Sequence, residues 1–269
     1  MPDAAGKVIV ITGASGALGQ ALALEAGKRA ARVALLSRNR NALLEIAEKI
    51  EAGNGQAFPV TTDVANPESI RSSFAMIENR WNNIDLLFNA AGVMEPVRRI
   101  ENIRDSEFIN SLGVNILGVY IATREAVIRM NRQTNGGTII NISSGAAIRP
   151  YIGWSTYGSQ KAAVDMFTRI AAQEFGGDPI RIAAISPGPF ESRMQKTLRQ
   201  SDPDDFPAKE KFVGLYESGG LLQPGTIAPM ILEIGLSDWP ELSGRVADIR
   251  DKNFQNECRQ HNILIPRGL

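Results

Sequence analysis

Short runs of consecutive apolar residues alternate along the chain with longer stretches whose apolar positions recur at helical spacing. Residues 7–12 (Lys7-Val8-Ile9-Val10-Ile11-Thr12) and 32–37 are continuously apolar, the pattern of parallel strands covered on both faces. The same reading predicts strands over 56–62, 84–90, 137–144 and 180–186. Between them, residues 20–30, 41–52, 67–81, 105–130 and 155–175 read as helices, with Leu43, Leu44, Ile46, Ala47 and Ile50 forming one apolar stripe. Pro67 and Pro224 suit a first helical turn, where a missing N–H costs little. Strand–helix repeats with right-handed crossovers predict an α/β, doubly wound parallel sheet with helices on both faces. No linker divides the chain, so residues 1–269 are expected to form one domain, with a C-terminal tail over about 251–269.

One stretch breaks the rhythm. Residues 190–220 are rich in Arg, Lys, Pro and Asp with weak periodicity. They read either as a solvated loop with a short helix or as a mobile substrate lid, since ligands of open α/β sheets bind beyond the strands' carboxyl ends.

Composition narrows the chemistry. The 269 residues include 29 basic and 29 acidic side chains, 43% hydrophobic residues, one His and one Cys. Zero net charge disfavours nucleic-acid binding through bulk basicity. One Cys forms no intrachain disulfide, and one His, at position 261, disfavours a multi-His metal site or a Ser-His-acid triad. An enzyme with this composition draws its proton donor from Tyr, Lys, Asp or Glu. Without a signal-peptide pattern or an uninterrupted apolar span at the sequence level, the expectation is a cytoplasmic protein with no membrane partner and no metal.

The turn Thr12-Gly13-Ala14-Ser15-Gly16-Ala17-Leu18-Gly19 sits between the first predicted strand and helix, where glycines and a helix N-terminus accommodate a pyrophosphate. The second strand ends in Ser37-Arg38-Asn39-Arg40 with no acid. A guanidinium there favours a 2′-phosphate, hence NADP, although Arg is also common in surface loops. Further on come Asn89-Ala90-Ala91-Gly92, Asn115 in a long helix, Ser143-Ser144, Tyr157 and Lys161 four residues apart, and Pro187-Gly188.

Together and in this order these pieces resemble the short-chain dehydrogenase/reductase family, over about residues 7–251. The resemblance implies Tyr157 as general acid, with Lys161 holding ribose hydroxyls and lowering the tyrosine pKa. It implies Ser144 as donor to the substrate oxygen and Asn115 as the residue positioning a relay water. The implied cofactor contacts are Gly13, Ser15, Gly16, Ala17, Leu18, Gly19, Ser37, Arg38, Asp63, Val64, Asn89, Ala90, Ala91, Gly92, Tyr157, Lys161, Pro187, Gly188, Phe190 and Ser192. Independently, an ammonium one helical turn from a tyrosine stabilises tyrosinate, and a Ser144 donor complements a developing oxyanion.

Gly13, Gly16 and Gly19 are spaced as in the longer, extended members of that family, and Ala17 stands where Gly is usual. The Asn-Ala-Ala-Gly segment, the length and the Pro-Gly block are similar to the shorter reductases. Residues 149–157, 161–166 and 243–248 also resemble the sepiapterin reductase and benzil reductase-like subgroup. On that resemblance Trp154 is a wall of the substrate pocket and Asp248 a substrate anchor, each weighed against a purely structural place. Cys258 and His261 lie in a polar stretch and are assigned no role. The resulting expectation is a homodimeric or homotetrameric, NADPH-dependent reductase of a small-molecule ketone or vicinal dicarbonyl. The alternatives are an alcohol dehydrogenase working toward oxidation and a non-catalytic NADP sensor.

Overall fold

A computed structural model describes residues 4–175 and 179–269; of the span expected to form one domain, residues 1–3 and 176–178 lie outside the described residues. Among the described residues, seven parallel strands form one sheet: β1 (Val8–Thr12), β2 (Arg32–Ser37), β3 (Gln56–Thr61), β4 (Leu86–Asn89), β5 (Gly137–Ile142), β6 (Ile180–Ser186) and β7 (Val246–Asp248). Their spatial order is β3-β2-β1-β4-β5-β6-β7. The chain steps outward from β1 to β3 and then returns to pair β4 with β1, so the two halves diverge at the β1–β4 seam. Crevices at such a reversal are where open α/β sheets bind ligands.

Both faces are covered, as continuously apolar strands require. On one face, α1 (Ala17–Lys28), α2 (Arg40–Glu51) and α9 (Pro224–Leu236) pack with Ile9, Ile11, Leu35 and Phe88. On the other, α3 (Pro67–Trp81), α5 (Gly118–Met130) and α6 (Ser155–Glu174) pack with Val8, Val10, Leu36 and Leu87. Local signals set the helix starts. Asn39 accepts from the Ala42 N–H ahead of α2, and Asn66 accepts from the Glu68 and Ser69 N–H groups ahead of Pro67.

The predicted helix over 105–130 is continuous but not uniform. Between α4 (Asp105–Leu112) and α5, residues Gly113–Leu117 take a wider π turn centred on Asn115. Such bulges recur at functional sites, because they re-aim side chains without ending the helix. By length and composition, Asp105–Met130 would pass for a membrane span. Here it lies against the sheet, with 56% of its most apolar window buried, as a core helix does.

Two irregular regions of the sequence turn out to be ordered. Residues 190–220 fold into α7 (Arg193–Arg199) and α8 (Lys209–Glu217). These bury Leu198, Phe206 and Phe212 with Met94 and Trp154 in a small apolar cluster separate from the two sheet cores. The expected tail contains α10 (Lys252–Gln260), capped by the Asp251 carboxylate. Its Phe254 and Cys258, with Ile263 beyond it, join the core under α9. Trp239 stacks on both Phe254 and His261, the latter at 4.4 Å between ring centroids. The wholly buried Glu233 accepts from Arg29 at 3.1 Å and from the Leu264 backbone N–H at 2.9 Å, tying the chain end to α1 and α9. The polar look of this segment arises because its buried positions are few and its partners lie far off in sequence.

Candidate active site

The glycine turn is held to the β4 loop at the sheet's carboxyl edge. Thr12 Oγ1 donates to the Phe88 carbonyl at 3.4 Å and accepts from the Ala91 N–H at 3.2 Å. The Gly16 N–H donates to the Gly13 carbonyl at 2.8 Å and closes the turn. Gly19 lies so close behind it that a Cβ there would sit 2.3 Å from the Gly13 carbonyl oxygen. Gly16 is the N-cap of α1 and provides no side-chain cap. The N–H groups of Ala17, Leu18 and Gly19 therefore have no acceptor within the helix and sit at its positive end.

Around that turn, Ser15 and Ser37 share a hydrogen bond at 2.5 Å between hydroxyls, and Arg38 extends exposed from the end of β2. Asp63 accepts from the Ala65 N–H at 3.0 Å, with Val64 buried beside it. Asn89 is buried, donating to Thr123 Oγ1 at 3.1 Å and to Asn141 Oδ1 at 2.8 Å, which fixes β4 against β5. Ala90, Ala91 and Gly92 carry the chain from there to the reaction end. An uncapped helix start with close-packed glycines behind it fits the pyrophosphate of a dinucleotide, which residues Gly13–Gly19 would hold.

Ser144, Tyr157 and Lys161 meet where β5 ends and α6 begins. Ser144 Oγ accepts from the Ala146 N–H at 3.2 Å, which orients the loop. Ser144 is close enough to the Tyr157 hydroxyl to favour its ionised form, and Lys161 Nζ lies 5.9 Å from the Tyr157 ring centroid. Lys161 is buried; its Nζ donates to the Ile142 carbonyl at 2.7 Å. Burial brings its pKa down to about 8, against the pull of Asp165 one turn further along α6. Burial raises Tyr157 above the usual tyrosine range, and the opposing influence is the Ser144 hydrogen bond. The phenol is therefore protonated at neutral pH, the form a proton donor needs.

Asn115 lies buried on the π turn, and its amide bonds to protein: Oδ1 accepts from the Val93 N–H at 2.9 Å, while Nδ2 donates to the Val93 carbonyl at 2.7 Å and to Gln160 Oε1 at 2.6 Å. The side chain thus clamps the Gly92-Val93 loop onto α6, and Oδ1 keeps a second acceptor site. Gln160, which also donates to Ser111 Oγ at 2.8 Å, completes the clamp. It was missed because nothing distinguishes a Gln inside Tyr157–Lys161 until its partner on the π turn is seen.

On the substrate side, Trp154 is 7% exposed, with ring centroids 5.1 Å from Tyr151 and from Phe206 and 5.3 Å from Tyr157. It is the base on which the 190–220 segment rests rather than an open wall. Asp248 is no free anchor either: both oxygens are taken by Arg250, and Ser186 Oγ donates to Oδ2 at 3.1 Å. In the loop after β6, Pro187 and Gly188 lead to Phe190, which bridges to Leu222, and to Ser192, whose hydroxyl caps α7 by accepting from the Gln195 N–H.

Comparison with known proteins agrees with this geometry. Residues 7–203 match the short chain dehydrogenase family, and the chain belongs to it. It is therefore an oxidoreductase of a fold that binds a nicotinamide cofactor. It is 32% identical over 252 residues to a benzil reductase ((S)-benzoin forming) of Bacillus subtilis (strain 168), covering 91% of this chain and 99% of that one. It is 31% identical over 232 residues to the Bacillus cereus protein of the same description, covering 84% and 92%. Among solved structures, the KRED1-Pglu enzyme superposes with a TM-score of 0.81 at 31% identity, covering 90% of this chain and 100% of that one.

Proposed function

We propose that this protein is an NADPH-dependent carbonyl reductase acting on a ketone or vicinal dicarbonyl. The observation that carries the reading is the meeting of Ser144, Tyr157 and Lys161 beside the glycine turn, with the tyrosine held protonated. A nicotinamide cofactor bound along Gly13–Gly19 supplies the hydride. Ser144 donates a hydrogen bond to the substrate oxygen as negative charge develops there. Tyr157 gives that oxygen its proton, and the Lys161 ammonium stabilises the tyrosinate left behind. Arg38 pairs with the 2′-phosphate. Oxidation of NADPH, followed by its absorbance across a panel of aromatic and aliphatic ketones and diketones, tests this. Faster turnover of alcohols with NAD, or none of any carbonyl compound, rejects it.

A second copy of the chain is the proposed partner. The outer sides of α4, α5 and α6 enclose a groove of about 600 Å³ lined by Ile109, Gly113, Ile116, Tyr120, Ala163 and Phe167. Ile109, Tyr120, Met166 and Ile170 are exposed around it. Helices with a second apolar face bury it against a symmetry mate, and a self-complementary patch of this kind gives a two-fold dimer. A monomer in sedimentation at micromolar concentration rejects the assignment.

A further inference from the structure

The loop after β7 carries a cation that no sequence motif required. Arg250 is locked to Asp248: Nε donates to Oδ1 at 2.8 Å, Nη2 to Oδ2 at 2.6 Å, and the Arg250 backbone N–H to Oδ1 at 2.9 Å. With Ser186 also on Oδ2, the carboxylate is committed to holding this fork in place. The fork borders both loops of the reaction site. A Cβ on Gly145, the residue after Ser144, would meet Arg250 Nη2 at 3.8 Å, and one on Gly188 would meet Cδ and Nε at 2.8 Å. Nη1 has no hydrogen-bond partner among the described residues.

We propose that Arg250, held by Asp248, sets substrate choice by donating a hydrogen bond to a second, uncharged oxygen next to the reacting carbonyl. The site then prefers vicinal dicarbonyls to 2-oxo acids. This rests on the reductase reading above and adds the group that is recognised. The physical basis is the pairing. Asp248 occupies one edge of the guanidinium and offsets its charge. A substrate carboxylate on Nη1 would stand within a few ångströms of the Asp248 carboxylate, whose repulsion opposes the attraction of the cation. A carbonyl oxygen meets no such opposition and still accepts a bond from an ionised donor.

Three flat substrates test this: benzil, with two vicinal ketones; deoxybenzoin, with one; and phenylglyoxylate, a 2-oxo acid. Relative to wild type, Arg250→Met should lose about ten- to a hundredfold in kcat/KM on benzil, and at least about tenfold more than it loses on deoxybenzoin. Asp248→Asn unmasks the guanidinium and should raise the phenylglyoxylate-to-benzil ratio about tenfold or more. The double variant D248N/R250M leaves no carboxylate unpaired. A benzil-selective loss that persists in it assigns the effect to the missing donor rather than to a collapsed loop. Equal losses on benzil and deoxybenzoin, or a loss confined to phenylglyoxylate, overturn the assignment. Affinity for each compound, read from NADPH fluorescence of the cofactor-loaded protein, gives the same comparison without turnover. A wild type inert toward all three whose benzil affinity still falls in Arg250→Met would sink the reductase reading and support the Arg250 contact. Benzil affinity unchanged by that substitution removes the contact.

Discussion

The two sides of the sheet's carboxyl edge are assembled differently. On the side of β1, β2 and β3, each candidate contact lies at the last residue of its own strand or in the few that follow: Gly13–Gly19, Ser37 and Arg38, Asp63 and Val64. On the side of β6 and β7, the walls are joined across long separations. Lys211 donates to the Tyr151 hydroxyl from 60 residues away, and the Arg99 N–H donates to Asp205 from 106 residues away. Strand register positions the first set directly. The second exists only while α7 and α8 stay docked on Trp154, Phe206 and Phe212. Changes on the first side should therefore alter cofactor affinity, and changes on the second should alter KM for the carbonyl compound.

The largest effect belongs to the point where the sides meet. Tyr157→Phe keeps the ring that packs against Trp154 and removes only the proton donor. Turnover should fall roughly a hundred- to ten-thousandfold, with NADPH affinity nearly unchanged, because positioned acid catalysis is worth about that much. A variant that turns over within a few-fold of wild type would remove Tyr157 from the mechanism.

Two glycines separate the sides more sharply. A Cβ at Gly19 would lie 2.3 Å from a backbone oxygen of the cofactor turn; a Cβ at Gly153, whose φ is +85°, would lie 2.4 Å from the Asp205 carbonyl under the 190–220 segment. Overpacking or backbone strain of this kind costs about 1–3 kcal/mol, or roughly ten- to a hundredfold in the equilibrium it touches. Gly19→Ala should weaken NADPH binding. Gly153→Ala should raise KM for the carbonyl substrate and spare NADPH affinity. If both act on the same constant, the division fails.

Arg38→Asp tests the cofactor side alone. A charge-assisted bond contributes about 1.5–3 kcal/mol, so the substitution should erase or invert a preference for NADPH over NADH of about ten- to a hundredfold. Wild-type protein that binds NADH as tightly as NADPH would show that Arg38 is only a surface arginine.

The pH profile probes the meeting point again with a smaller effect. Lys161, brought down to about 8 by burial, is charged below that pH and neutral above it. Tyr157 is raised and stays protonated over the same range. Carbonyl reduction should therefore be steady below pH 8 and decline by about tenfold per pH unit above it, as the cation that stabilises tyrosinate is lost. Lys161→Arg, charged throughout, should abolish that decline. A decline unchanged in this variant would assign it to another group.

The same division governs how much could be read from the chain. The central sheet was legible because both its faces are buried, which leaves unbroken apolar runs. Residues 67–81 and 180–186 fold with the expected bounds, one marked by Asn66-Pro67 and the other by its apolar run. The family match over residues 7–203 likewise spans the strands β1 to β6. What stayed illegible depends on partners brought from elsewhere. The Asn115 clamp needs Val93 and Gln160, and the Asp248 carboxylate is taken up by an arginine two residues away whose orientation no periodicity encodes. Around Phe254 and Cys258, α10 is too polar on average to announce its buried stripe.

His261 offers the smallest and most specific test of that last point. As a residue in a free polar tail it would contribute nothing. In the fold its ring lies parallel to Trp239, with 4.4 Å between centroids and 19° between planes, and that indole stacks on Phe254 in turn. A stacked aromatic pair is worth about 0.5–1.5 kcal/mol beyond its buried area. His261→Ala should therefore lower Tm by a few degrees at most, since about 1 kcal/mol shifts a chain of 150–250 residues by roughly 2–4 °C and a longer one by less. The stack packs in the core with α9, a different cluster from the one around Tyr157, so kcat/KM should not change. A Tm equal to wild type within error would return residues 251–269 to the status of a loosely attached tail. A loss of activity without a loss of stability would mean that the chain end reaches the active site by a route the packing does not reveal.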